Sequence, residues 1–548
     1  MTDEALERST RLPASPASPA PTMRWDAWGV AESRKTLSPQ VKALLSQALG
    51  ISGDGARSPR EERVTLQPSD LTATQIAEIG AIVGSDNLTT ADAVRLRHAG
   101  GKSTLDLLRR RSTSPQDAPD AVAFPGSHDE VLALLGYCSQ RLIAVVPFGG
   151  GTSVVGGVDP IRGRFPTILA LDLRRLDCLR AVDRIAGTAT LAAGLTGPQA
   201  EQLLNDRGLT LGHFPQSFQF ASIGGFAATR SAGQASSGNG RFDDMLQRIT
   251  VATPRGALDI GRAPASAAGP DLRELFAGSE GTFGVITEVT LRVRALPERT
   301  VYQAWSFPDF AAGTSALRAL AQEGAAPTVL RLSDEAETGV NLALADAVAM
   351  GSVTSGCLAI TTFEGTVEHV AARSAEVSAL LTAAGGNALG AAPARGWEHG
   401  RFSAPYLRDA LLDAGAIAET LETATTWGNV PALREAVTMA LTDSLTALGT
   451  PPLVMCHISH TYPTGASLYF TVVCAQAEQP LAQWVAAKRA AGDAIVAAGG
   501  TITHHHAVGR DHRQWMVEEI GDLGVEILRA VKGVVDPAGI LNPSKLIP

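Results

Sequence analysis

With 548 residues, 45% of them hydrophobic and 18% charged, the chain reads as globular and is too long for one core. Its length suits roughly three or four domain-sized units. A net charge of −9 excludes a basic nucleic-acid footprint, so any anionic ligand must be held by a few local arginines. The five cysteines, Cys138, Cys178, Cys357, Cys456 and Cys474, form no CxxC pair. That excludes a zinc ribbon and a disulfide scaffold, and a reducing, cytoplasmic compartment is expected.

Residues 1–22, rich in Pro, Ala and Ser and without an apolar h-region, read as a disordered tail with no secretory signal. The patterns from 23 to 115 are helical. In SPQVKALLSQAL (38–49), Ser38 is placed as the N-cap and Pro39 as the first helical residue. AVAFPGSHDEVLALLGYCSQRLIAVVPFGGGTSVVGG (121–157) reads as strand, helix, strand and Gly-rich loop. Val131, Leu132, Leu134 and Leu135 give that helix its apolar face. Short strands follow at TILALDL (167–173), TATLAAGL (188–195) and GVITEVTLRVRAL (284–296), and the block 116–298 closes around Pro297. A mixed segment, 299–500, contains the strand pair VMCHISH (454–460) and SLYFTVVC (467–474). The last segment, 501–548, opens on His504, His505 and His506. It continues as a helix whose apolar positions Met516, Ile520, Leu523, Ile527, Val531 and Val534 step by four and three until Asp536-Pro537 stops it. No run of ~18 apolar residues could span a bilayer. The nearest, VNLALADAVAMGSVTSGCLAITTF (340–363), is broken by Asp346, glycines and hydroxyls.

The Gly-rich loop carries chemistry. Phosphate needs several backbone N–H donors converging on one point, which Gly149, Gly150 and Gly151 permit directly after a strand, with Thr152 and Ser153 adding hydroxyls. It lacks GxGxxG, so it is not a Rossmann fingerprint. GGKST (100–104) is not a P-loop either, because Leu96 stands where the first glycine is required. Two further Gly- and hydroxyl-rich stretches, HFPQSFQFASIGGFAATRSAGQASSGNGRFDD (213–244) and GSEGTFGVITEV (278–289), call for a long ligand with a pyrophosphate and a polyol.

PFGGGTS, SIGGFAATRSAG, GSEGTFGVITEV and the terminal VDPAGILNPSKL together resemble the flavoprotein family with the vanillyl-alcohol-oxidase-type FAD domain. The resemblance implies an α+β fold: a two-subdomain FAD-binding domain under an α+β substrate cap, the final helix returning to the FAD half. It implies non-covalent FAD, since PFGGGTS offers no histidine or cysteine tether. The implied FAD contacts come from three stretches. The first is Pro147, Phe148, Gly149, Gly150, Gly151, Thr152 and Ser153. The second is Pro215, Gln216, Ser217, Ala221, Ser222, Gly225, Ala228, Thr229, Arg230 and Ser231. The third is Glu280, Gly281, Thr282, Gly284, Val285 and Ile286.

Within that family, MRWDAWG (23–29), YLRD (406–409), SHTYPTGASLYF (459–470) and HHHAVGRDHRQW (504–515) resemble the ether-forming alkylglycerone-phosphate synthase branch. That branch exchanges the acyl group of acyl-dihydroxyacetone phosphate for a long-chain fatty alcohol. It does so without net redox change, flavin N5 holding the dihydroxyacetone phosphate covalently. The resemblance implies Tyr469 as the acid/base, His505 and His506 as proton carriers beside the flavin, and His504 in the same motif. Arg331 is expected near the reacting centre and Arg408 on the substrate phosphate, where a guanidinium offers two parallel hydrogen bonds. Strand alternation puts Tyr469, Thr471 and Val473 on one face and Leu468, Phe470 and Val472 on the other.

Adjacent side chains of an extended chain face opposite ways, so the three histidines do not readily share a metal, and none is expected. On that geometry His504 and His506 lie on one side and His505 on the other, while His512 reads as a surface residue at a helix start. A homodimer and a peripheral membrane contact are expected, and the final KLIP is no peroxisomal SKL address. The rival reading is an FAD-dependent 2-hydroxyacid dehydrogenase of the D-lactate or glycolate type. Its metal-binding GDGN-H stretch is replaced here by SHTYPTGASLYF.

Overall fold

The computed structural model describes residues 10–11, 18–51, 53, 55–111, 116–344 and 356–548. Most of the expected tail and the middle of the apolar segment 340–363 lie outside the described residues. Three larger sheets and one two-stranded sheet organise the rest.

The first sheet is built by the elements read from 121–173. Ala121–Ala123 and Ile143–Phe148 flank Thr167–Asp172 in parallel register, with Val122 opposite Ala170 and Val145 opposite Leu169. A parallel pair needs a crossover, and His128–Arg141 supplies it, burying Val131, Leu134, Leu135 and Cys138. Ser127 caps that helix by accepting from the Glu130 amide. The second sheet has six strands and is antiparallel throughout, with Val285–Arg292 between Thr188–Ala192 and Leu246–Thr253. The Gly-rich loop leaves the end of Ile143–Phe148, and the cleft it enters is also lined by the helix Ile223–Ala228 and the turn 280–286.

The third sheet, eight-stranded and antiparallel, is assembled from strands between Arg299 and Ala475. VMCHISH and SLYFTVVC pair as read, forming Leu453–Ile458 and Gly465–Ala475 in register, with Ala416–Thr426 on the far side of the latter. Leu468, Phe470 and Val472 face the main core of this half, where they meet Trp484 and Leu441. The opposite face, carrying Tyr469, Thr471 and Val473, looks into a cavity.

The helix Pro39–Leu49 forms as read: the Ser38 hydroxyl accepts from the Val41 amide. The closing helix departs from expectation. Met516–Val535 is interrupted at Gly521, whose φ of 74° and ψ of 164° are not helical. The turn before that break and the helix after it therefore share no face. Val525 is buried, and Leu528, Val531 and Val535 pack on the core. Of the stripe read from the sequence, Leu523 is 70% exposed, Ile527 55% and Val534 70%.

Candidate active site

One cavity of about 1180 Å³ runs from the Gly-rich loop to the apolar face of Pro39–Leu49. At its first end lie Pro147, Phe148, Gly149, Gly150, Gly151, Thr152 and Ser153, then Pro215, Gln216, Ser217, Ala221, Ser222, Gly225, Ala228, Thr229 and Ser231. Glu280, Gly281, Gly284 and Ile286 complete it. Three expected contacts fall outside this lining. Arg230 is turned away onto Asp243 and Glu274, Val285 joins the core of the first sheet, and Thr282 is buried beside the loop.

This end fits FAD. A Cβ on Gly150 would meet the Phe220 carbonyl oxygen at 1.8 Å, so the loop's backbone is pressed against its neighbour as only glycine allows. Gln216 Nε2 and Gln234 Oε1, both at the cavity wall, are buried with no hydrogen-bond partner. A buried polar atom without a partner costs roughly 1–3 kcal/mol, so such atoms at a cavity wall point to a polar ligand.

GGKST proves to be a structural clamp. The Lys102 amide donates to the Ser153 carbonyl, and its ammonium donates to the carbonyls of Arg24 and Trp25. The MRWDAWG segment is thereby tied to the Gly-rich loop. The Lys102 carbonyl accepts from Arg408 Nη1 at 2.6 Å. Arg408 is held further by Asp409 and lines the cavity.

Next along the cavity is a cluster of rings. Tyr469 stacks on His457 with centroids 4.8 Å apart, and lies 6.1 Å from His505 and 5.6 Å from His506. Burial pushes the Tyr469 phenol up to about 12, so it carries its proton at neutral pH. Burial also pushes His506 down to about 3 and lowers His505 against the opposing pull of Glu422, leaving both rings as neutral bases. Arg331 faces both ring nitrogens of His457, Nη1 at 3.0 Å from Nε2 and Nη2 at 2.9 Å from Nδ1, and Nδ1 also lies 2.8 Å from Glu337. Arg331 also pairs with Glu337.

The histidine run is bent rather than extended, so the alternation argued from the sequence does not apply. His505 and His506 both line the cavity; His504 turns to Tyr462, whose hydroxyl lies 2.6 Å from its Nε2. His460, His504 and His505 place ring nitrogens within 4.8 Å of one another. Within this group His504 Nδ1 lies 3.0 Å from His505 Nδ1, and His460 Nδ1 lies 2.5 Å from the Ser236 hydroxyl. We read the group as hydrogen-bonded imidazoles. His512, expected at the surface, is buried and bonded to the Ala507 carbonyl.

Beyond the rings the cavity turns apolar by strand register. Glu422, Tyr469 and His457 stand abreast on three adjacent strands, followed by Thr420, Thr471 and Met455, then by Ala418, Val473 and Leu453. From the first row to the third is about 13 Å at strand rise. Leu45, Val41, Val340 and Leu411 close over the third row.

Glu337, Glu422, His457 and His460 were not singled out from the sequence. His457 alone had a signal there, since pairing VMCHISH with SLYFTVVC places it on the face of Tyr469.

These features define a two-part flavoprotein: an FAD cradle under a cap whose sheet carries the reactive groups. Residues 119–260 match the FAD binding domain family, and 296–546 match the C-terminal domain of FAD linked oxidases. The chain is 31% identical to the alkyldihydroxyacetonephosphate synthase of Dictyostelium discoideum, over 96% of this chain and 93% of that one. It is 29% identical to that of Trypanosoma brucei brucei, over 96% and 92%. A solved structure of alkyldihydroxyacetonephosphate synthase superposes with a TM-score of 0.82 at 28% identity, covering 95% of this chain and 98% of that one. The chain belongs to the alkyldihydroxyacetonephosphate synthase family.

Proposed function

We propose that this protein exchanges the acyl group of acyl-dihydroxyacetone phosphate for a long-chain alcohol, forming an ether-lipid precursor without net redox change. The observation that carries this reading is the graded row of side chains in one cavity. An FAD cradle, a ring cluster fit for moving protons and an apolar channel follow one another without a partition. The bond from the glycerone carbon to the acyl carboxylate breaks, and a bond from that carbon to the alcohol oxygen forms. The alcohol's proton is left for the protein to take, and no oxidant is consumed.

Bound in the cradle, FAD would supply a nucleophilic ring nitrogen beside the reacting carbon. Tyr469, with its proton held by burial, and His505, a neutral base, take and return the proton on the carbon next to the carbonyl. His506 lies within the same ring cluster, and His504, tied to Tyr462, supports the loop. Arg408, fixed by Asp409 and the Lys102 carbonyl, binds the phosphate; Arg331, braced on Glu337 and His457, sits at the reacting centre. The aliphatic tail lies over Thr471, Met455 and Val473.

The same reading includes a homodimer, a peripheral contact with a membrane and a cytoplasmic location. A long-chain alcohol is held in lipid rather than water, so the protein must take it from a lipid surface. All five cysteines are buried and free, which suits a reducing compartment, and no helix among the described residues is long and apolar enough to cross a membrane. The test is to incubate purified protein with palmitoyl-dihydroxyacetone phosphate and hexadecanol and look for the alkyl product. Absence of that product, with persistent flavin bleaching by D-lactate or glycolate, would transfer the chain to the dehydrogenase reading.

A further inference from the structure

Residues 503–509 approach the ring cluster as a bent loop, and two buried carboxylates hold it. Glu280 accepts from the amides of Val508 and Gly509 at 2.8–3.0 Å. Glu422 does more. Its two oxygens accept from three consecutive amides, His504 at 2.5 Å, His505 at 3.1 Å and His506 at 2.7 Å, and from the Thr503 hydroxyl at 2.5 Å. Consecutive amides converging on one anion form a nest; here a side chain of the neighbouring sheet supplies the anion. Glu422 stands directly across the strand pair from Tyr469, so the residue that holds the loop shares a row with the phenol the loop must meet.

The charge is isolated. The Glu422 side chain is fully buried, and among the described residues no lysine or arginine forms an ion pair with it. The groups that face it are imidazoles: His505 Nδ1 at 3.6 Å and His506 Nδ1 at 3.8 Å, with His504 on the same loop. Beyond these lie His457 and Glu337 under Tyr469, His460 and Arg241 on the His504 side, and Lys488, Asp511 and His512 behind His506. Burial alone would push the Glu422 carboxyl up. The facing imidazoles of His505, His506 and His504, with the bond from the Thr503 hydroxyl, outweigh burial and hold it well below the usual carboxylate range.

We propose that Glu422 is a positioning residue: its carboxylate bends the loop so that His505 and His506 both face Tyr469, and it is the counter-ion for the proton these rings take up during turnover. The logic is that of a buried carboxylate behind a catalytic imidazole, which orients the ring and stabilises its cation without itself becoming protonated. The second half of the proposal rests on the transferase reading above. The first half does not.

The test uses holoenzyme with Glu422→Gln, which removes the charge and keeps an acceptor, and Glu422→Asp, which keeps the charge on a shorter arm. Flavin content and melting temperature establish that each is folded. Glu422→Gln is expected to lower kcat about 100-fold with KM for the acyl substrate within about twofold, and to move the acid limb of the kcat profile to lower pH, since an imidazole without its anion protonates less readily. Glu422→Asp is expected to return the limb to its wild-type position while recovering only part of the rate. In hydrogen exchange, the peptide covering 503–506 should be protected in wild type and exchange faster in Glu422→Gln. Wild-type turnover in Glu422→Gln, or a loss of kcat with the acid limb unmoved, would overturn the counter-ion role. Unchanged exchange in both variants would overturn the loop-holding role. Should wild type itself yield no alkyl product, the transferase reading fails separately. Exchange, and the pH titration of bound-flavin absorbance in the three proteins, then still decide the role of Glu422.

Discussion

Tyr469 was legible because strand alternation and a family motif converged on it, and its surroundings explain what burial does to a phenol. With its proton retained, its proposed role is to give and recover that proton, a contribution of roughly 10²- to 10⁴-fold for a positioned acid/base. Tyr469→Phe should therefore lower kcat by that order, with flavin content and KM little changed; steady-state kinetics on the alkyl product measure it, and undiminished turnover would remove Tyr469 from the mechanism. Glu280 makes a different prediction. Burial raises its carboxyl to about 7, above its unfolded value of about 4.3. A raised folded value means that the associated stability is complete below the unfolded value and is lost as pH climbs through 7. Asp159, raised by burial and by Asp106 to about 7, acts in the same direction. The buried neutral imidazoles act in the opposite direction as pH falls through about 6.5. The Glu280 contribution is therefore read from the variant: between pH 5 and pH 8 the slope of apoprotein melting temperature against pH should be more positive in Glu280→Gln than in wild type. An unchanged slope would show that the carboxylate is not the titrating group. Glu337, Glu422 and His457 gave little warning in the sequence because none lies in a distinctive motif: each matters through a partner more than eighty residues away or through cross-strand register.

At the scale of elements, the three adjacent strands behind Tyr469 turn a chemical gradient into a spatial one. Each step of two residues moves about 6.6 Å along the cavity on the same face. Ala418 stands in the third row, where the smallest side chain leaves most room. Ala418→Phe should reject hexadecanol while retaining turnover with a much shorter alcohol; a rate ratio for the two alcohols equal to that of wild type would mean that the tail runs elsewhere. The crossover helix, the strands of the first sheet and the pairing of VMCHISH with SLYFTVVC were all legible, because apolar period and turn residues are local signals. Two elements misled. Strand alternation predicts an extended histidine run, whereas the run is bent, with its three amides donating to buried Glu422. The closing helix was given one apolar stripe, but its apolar residues form two rows, and the break at Gly521 decides which row meets the core.

For the molecule as a whole, that second row has a consequence. Leu523, Ile527 and Val534 form an exposed apolar strip on the closing helix, of the kind that marks an interaction surface. It supports the proposed homodimer through this helix. Leu523→Glu with Ile527→Glu should shift sedimentation from dimer to monomer and leave flavin content intact; a dimer that persists would place the interface elsewhere. The N-terminal segment likewise acts at this scale. Lys102 binds Arg24 and Trp25 to the Gly-rich loop, and its carbonyl accepts from Arg408, so the cradle and Arg408 share one support.

By itself the sequence determined the fold class and the glycine-built FAD cradle, and it put Tyr469 and the histidine loop forward as candidates, because these rest on periodicities and short family-like motifs contained within a few residues of chain. Only the tertiary structure decided which histidines face the phenol, which carboxylates hold them and which helix face is left bare. Those outcomes depend on burial, and on the register between segments far apart in the chain, quantities that no local pattern encodes.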